Sequence, residues 1–288
     1  MKKATKIWLI AATSLIVVGA ILSIAVLAIK GWDMSVIGSS KVETTTFDIK
    51  DDFQNISIQS DTEDVVFVQS SDGKCQVTFV EQEGVRPIAE VKNGTLTIGT
   101  EDNRKWVDHI SFMSKSPSIT IALPKLVYGS LAIDETTGDI YLPAGFQFDS
   151  IDIKLTTGDV ECGTSASGQI RIHADTGDLT VNGVSANVLD LTVTTGHVEV
   201  SSINCKENVS VSVGTEKAIL RDISCKNFYS TGNTGDITME NLVVSEMISI
   251  ERTTGDITLT GCDAGELLIK TDTGEVTGSL LSEKIFIV

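Results

Sequence analysis

The sequence predicts an all-β protein. Its core is a β-solenoid, a single-stranded β-helix of 19–20-residue rungs, with a β-rich N-terminal cap and one transmembrane helix in front. Three observations carry this. The phrase Thr-Gly-Asp recurs at a near-constant period, apolar pairs flank each copy at a spacing of two, and an uncharged stretch runs from Ile7 to Ile29.

Residues 1–6 form a cytoplasmic tail and residues 7–29 the predicted membrane helix. Lys2, Lys3 and Lys6 precede the stretch and Lys30 closes it. As a helix it would span roughly 30 Å or more, enough to cross a bilayer. The leading lysines favour a cytoplasmic N-terminus, with the remainder outside the cell. A cleaved signal peptide is the competing reading, but signal cores usually run about 7–15 residues. "VLA" before Ile29 is a weak cleavage site.

Residues 30–44 read as a linker and residues 45–125 as the cap. "VKNGTLTIG" places Asn93-Gly94 between alternating residues, which suits a two-residue hairpin turn. "SSDGKCQVTF" around Asp72-Gly73 reads as a second hairpin, and "SITIALP" as a strand leading into the repeats. The cap would shield the edge of the first rung.

Residues 126–288 carry the repeats. Thr137-Gly138-Asp139, Thr157-Gly158-Asp159, Thr176-Gly177-Asp178, Thr234-Gly235-Asp236 and Thr254-Gly255-Asp256 keep the full phrase. Thr195-Gly196 is followed by His197, and Thr273-Gly274 by Glu275. A degraded copy puts Glu216 at the glycine position after Thr215, so the steps are 20, 19, 19, 20, 19, 20 and 19 residues. Apolar pairs lie seven and five residues before the glycine, such as Ile151 and Ile153, and two and four after it, such as Val160 and Cys162. That is strand periodicity with one buried face. One rung cannot bury its own face, but stacked rungs share a continuous core. Glycine supplies a positive φ at the turn, threonine stacks on threonine, and aspartate can accept a backbone N–H and close the turn. Glu216 should cost its rung about 1 kcal/mol unless the turn differs there. "SEKIFIV" looks like the opening of a ninth rung, which makes truncation of the stack at Val288 the expectation.

The chain carries a net charge of −17. Its first thirty residues hold four lysines and no acids, which leaves −21 on the rest. Such a surface excludes nucleic acid as a partner, because phosphate binding needs Lys and Arg. Five cysteines at irregular spacing form no disulfide framework. Cys205 and Cys225 occupy equivalent places in adjacent rungs, within reach of a disulfide, and a reduced buried pair is the alternative. Cys262 aligns with Val184, Ile203, Ile223 and Leu242 as a core residue.

The acidic column Asp139, Asp159, Asp178, Asp236, Asp256 and Glu275 invites a row of calcium ions. His197 and Lys217 in the same register favour turn capping instead, so no metal site is expected. Asp152, Arg171 and Asp190 stand in succession on an outer face. They could line a glycosidase-like cleft, and a solvated ion-pair ladder is the simpler reading. His109, His173 and His197 sit in no catalytic motif, and no catalytic or cofactor-binding residue is assigned.

The membrane segment, the "SITIALP" lead-in and the "TTGDI" rungs together resemble the bacterial "putative adhesin" family of domains of unknown function, the LiaG-like envelope proteins. The resemblance covers about residues 45–288. It implies a β-helix at the cell envelope and brings no catalytic residues. The functional expectation is a membrane-anchored extracellular solenoid that binds a cell-wall or surface glycan or protein, or serves a structural role. The alternatives are a sensor or accessory protein of the envelope stress response acting through a membrane partner, and a carbohydrate-active enzyme.

Overall fold

The computed structural model describes residues 12–19, 21, 42–102 and 116–282. Residues 12–19 are helical and exposed. Among the described residues no helix is long and apolar enough to cross a membrane. The rest of the expected 7–29 span lies outside the described residues, as do His109 and residues 283–288. The first strand, Val42–Ile49, begins inside the segment expected as linker.

From Ser130 onward the chain winds as parallel coils. Each has a long strand before its Thr-Gly turn and a second strand, short in the first coils, after it. Ser130–Thr137, Ser150–Thr157, Gln169–Thr176, Val188–Thr195 and Asn208–Thr215 stack in register as one wall. The second halves of Ala218–Thr234 and Ile237–Thr254 continue it, and Glu266–Thr273 is its last strand among the described residues. Ile140–Leu142, Val160–Cys162, Leu179–Asn182 and Val198–Cys205 begin the opposite wall. Short pairs such as Gln147–Phe148 with Ser165–Ala166 close a third side.

The stacking follows from the alternation. The residues seven and five before the turn, and two and four after it, are buried from coil to coil as far as Leu259, while in the last described coil Leu267 and Ile269 are half-buried and Val276 is exposed. Each fully buried Ile, Leu or Val is worth roughly 1.5–3 kcal/mol. The third side adds Phe146, Phe148, Val184, Ile203, Ile223, Leu242 and Cys262, so Cys262 is the core residue its alignment implied.

The segment expected as a cap contains two further layers of the same solenoid. Asn55–Ser60 pairs in parallel with Ser130–Thr137, and Asp64–Gln69 with Ile140–Leu142. Outside that layer, Thr95–Asp102 pairs with Asn55–Ser60 and Ser118–Leu123 with Asp64–Gln69, again in parallel. Among the described residues the antiparallel covering consists of Val85–Lys92, Cys75–Gln82 and Val42–Ile49. It shields the end of the stack.

The Asn93-Gly94 hairpin forms as its sequence predicts. Lys92 faces Thr95, and the two turn residues have φ of 51° and 76°. The Asp72-Gly73 turn is not a hairpin. Ser118–Leu123 lies between the strands it connects and pairs with both. Ser70 Oγ and the Lys74 amide donate to Asp72 Oδ1 at 2.9 and 3.0 Å, which holds this wide turn and lowers the Asp72 pKa.

Candidate functional surfaces

The Thr-Gly-Asp edge is built by backbone bonds between coils. The Gly158 amide donates to the Thr176 carbonyl at 2.9 Å, and the Val160 amide to the Asp178 carbonyl at 2.9 Å. Glycine is required for two reasons. The turns have φ between 112° and 148° at Gly138, Gly158, Gly177, Gly196, Gly235, Gly255 and Gly274. A Cβ there would also overlap the backbone of the coil before, as on Gly177 against the Gly158 carbonyl. Glu216 does adopt a positive φ, of 85°, outside the glycine range, so its turn is both left-handed and different.

The aspartates bond between coils rather than within their own turns. Asp139 Oδ1 accepts the Asp159 amide at 2.8 Å, Asp159 Oδ1 the Asp178 amide at 2.7 Å, and Asp178 Oδ1 the His197 amide at 2.8 Å. Asp236 and Asp256 do the same for Asp256 and Glu275, each at 2.8 Å. Parallel stacking brings the next coil's amide to about one strand spacing, nearer to the carboxylate than its own turn. His197 ends the first run by donating from Nδ1 to the Lys217 carbonyl at 2.9 Å. Among the described residues the threonine hydroxyls of this column do not bond to one another. The Thr215 hydroxyl donates instead to the Thr194 carbonyl, at 3.4 Å.

Asp152, Arg171 and Asp190 form an exposed ion clamp across three coils, with Arg171 3.9 Å from Asp152 and 3.6 Å from Asp190. Arg221 between Glu199 and Glu240, and Lys226 between Glu207 and Glu246, repeat the arrangement. The same acid–base–acid order on unrelated columns marks these as stacking partners. Each cation occupies the coil between two acids and is attracted to both.

Cys205 and Cys225 lie on adjacent coils as buried free thiols, not as a disulfide. Parallel neighbours hold their Cβ atoms about one strand spacing, ~4.8 Å, apart. That is wider than the about 3.8 Å a disulfide takes. Burial pushes the Cys205 thiol up to about 11. It pushes Cys225 up to about 12, with Cys205 adding to the rise.

Two features were not read from the sequence. The residue three before each turn also points inward, and this column includes Glu135 and Arg252, 2 % and 1 % exposed. The second is a cavity of about 820 Å³ at the base of the covering strands. The buried Phe53 and Tyr128 and the exposed Lys50, Asp51 and Lys125 are among its lining residues. Phe53 stacks on Tyr128 at 5.7 Å, and Tyr128 on Phe148 at 5.8 Å. Burial pushes the Tyr128 hydroxyl up to about 12.

These surfaces offer shape, charge and hydrogen bonding. Among the described residues no group of three or more His, Cys, Asp or Glu is placed to hold a metal ion.

No curated protein matches the chain. Among solved structures it is similar to a "putative adhesin" from Parabacteroides distasonis ATCC 8503, at 13% identity and a TM-score of 0.55, over 83% of this chain and 98% of that one. A "putative adhesin" from Bacteroides fragilis NCTC 9343 matches at 17% identity and a TM-score of 0.48, over 84% and 97%. The first likeness shows the fold. The Toastrack DUF4097 family matches residues 53–215, more than half of the sequence, and this chain belongs to that family.

Proposed function

We propose that the protein is a membrane-anchored solenoid of the bacterial cell surface, with a non-enzymatic binding or structural role toward a cell-wall or surface glycan or protein. The observation that carries this is the repetition of the outer columns. Eight coils present equivalent positions at strand spacing along two flat walls. An extended partner can engage such a face weakly at many points, and the sum exceeds any one contact. The apolar stretch from Ile7 to Ile29 supports an anchor, and the adhesin name of its structural relatives supports surface binding. The Asp152–Arg171–Asp190 clamp is an outer ion pair on a flat wall, which favours binding over glycan cleavage.

Co-sedimentation tests the reading. The chain from residue 33 onward is mixed with the producer's cell-wall sacculi, with an extracellular-matrix preparation and with cellulose as control. Retention on sacculi supports envelope maintenance, and retention on matrix supports adhesion. Retention on neither, with or without calcium, overturns the reading in favour of a membrane-protein partner.

A further inference from the structure

Two acidic side chains lie buried where the inserted layers meet the first repeat coil. Glu63 and Glu135 are each 2 % exposed. The Glu63 carboxylate is fully engaged. The Asp61 and Thr62 amides donate to Oε2 at 3.0 and 2.9 Å, and the Thr100 hydroxyl donates to Oε1 at 3.1 Å. Glu135 is not. Its Oε2 meets the Ser60 hydroxyl, and its Oε1 is buried without a hydrogen bond.

The surroundings of Glu135 do not favour a negative charge. On the following coil its register partner is the buried Leu155. On the preceding layer its partner is Ser60. The charged groups that act on it are Glu63 and Asp61, both acidic. The nearest cation in register, Lys154 opposite Asp134, is exposed on the outer face. The Ser60 hydroxyl and the Thr137 backbone favour the carboxylate, but burial and the two neighbouring acids outweigh them. The neutral acid fits, since its O–H can donate to Ser60 Oγ.

We propose that Glu135 is carried as the neutral acid and acts as a pH-sensitive latch, joining the inserted layers to the repeats and weakening as the pH rises. Burial is the first cause of its raised pKa, of about 8. The Ser60 hydroxyl opposes the rise, and Glu63 adds to it. The sign follows. When the junction opens, Glu135 regains an ordinary carboxylate pKa of about 4.3. Between that value and 8 the open state has lost a proton that the closed state keeps. Opening therefore becomes roughly tenfold easier per pH unit. Above pH 8 the closed state ionises too, and the loss levels off.

Amide hydrogen exchange on the full chain tests this, with rates corrected for their intrinsic pH dependence. Peptides covering residues 55–63 and 131–137 should lose roughly tenfold protection per pH unit between pH 5 and pH 7. A peptide from residues 188–195, deep in the stack, serves as reference and should change little. Glu135→Gln should remove the pH dependence at the junction. Glu135→Leu, which copies Leu155 of the next coil, is the second variant should the first fold poorly. Unchanged junction protection in the wild type, or the same loss in both variants, overturns the proposal.

Discussion

Arg252 fills the space that a side chain on Gly232 would need. A Cβ at Gly232 would overlap Arg252 Nη1 and come within 2.6 Å of the Val213 carbonyl oxygen. The guanidinium is 1 % exposed and reaches back across two coils. Nη1 donates to the Val213 carbonyl at 3.4 Å, and Nη2 to Ser230 Oγ at 3.2 Å. Nε has no hydrogen bond, and burial lowers the Arg252 pKa. Gly232→Ala is therefore expected to destabilise by about 1–3 kcal/mol, since it forces overpacking. Arg252→Met removes one of the two obstacles, so the double variant should lose less than the sum of the singles. Urea unfolding of all four proteins measures the coupling.

Glycines in the turn column are expected to tolerate substitution far less than glycines elsewhere. Gly177→Ala meets both a φ of 138° and the Gly158 carbonyl. Gly73→Ala meets a φ of 75° and open space. The second should cost about 1 kcal/mol, the cost of a left-handed L-residue, and the first clearly more. Thermal melts of the two variants decide. Equal losses would show that φ alone sets the requirement.

The aspartate column should behave as a set of caps between coils. Asp159→Ala leaves the Asp178 amide without its 2.7 Å acceptor and should cost about 1 kcal/mol. Asp159→Asn keeps an acceptor oxygen and should restore part of the loss. Chemical denaturation of both variants checks the order.

The ion clamps should contribute little. Arg171 is about half exposed, at 49 %, so Arg171→Met should change stability by no more than about 1 kcal/mol at neutral pH. Whatever it loses should shrink in high salt. A salt-independent loss would point to packing of the arginine stem instead.

Thiol chemistry offers a check on the core. All five cysteines are buried and free, and burial raises the thiol pKa of each. The thiolate is the reactive form. Native protein at pH 8 should therefore react slowly with an aromatic disulfide reagent, and unfolded protein should release all five thiols. Fast reaction of any thiol in the native state would place that cysteine outside the core.

The solenoid was legible because its cause is periodic. Pairs such as Ile170 and Ile172 repeat with the coil, and so does the Thr-Gly turn. The layer at Asn55–Gln69 follows the same rule, with Ile56 and Ile58 before the turn and Val65 and Phe67 after it. It was missed because Thr62-Glu63-Asp64 replaces the glycine, and because sixty residues separate it from the next coil in sequence. Asp64 nonetheless does what the later aspartates do, accepting the Asp139 amide at 3.0 Å. The inward residue three before the turn was hidden by its variety. Glu135, Ala174, Gly232 and Arg252 share one column and no chemistry. The aspartate bonds needed the stacking direction, which no single rung contains.

The order of the layers in space differs from their order in the chain, and this bears on how the protein is made. Asn55–Gln69 is sandwiched between Thr95–Asp102 with Ser118–Leu123 on one side and the coil starting at Ser130 on the other. Both of its neighbours are synthesised after it. From Ser130 on, each new coil can settle onto a finished one as the chain emerges. The first layer has no such template, and its two bare edges wait until about residue 142 has emerged. Vectorial assembly therefore begins with its most hazardous stage, when unpaired strand edges invite association with other unfolded chains.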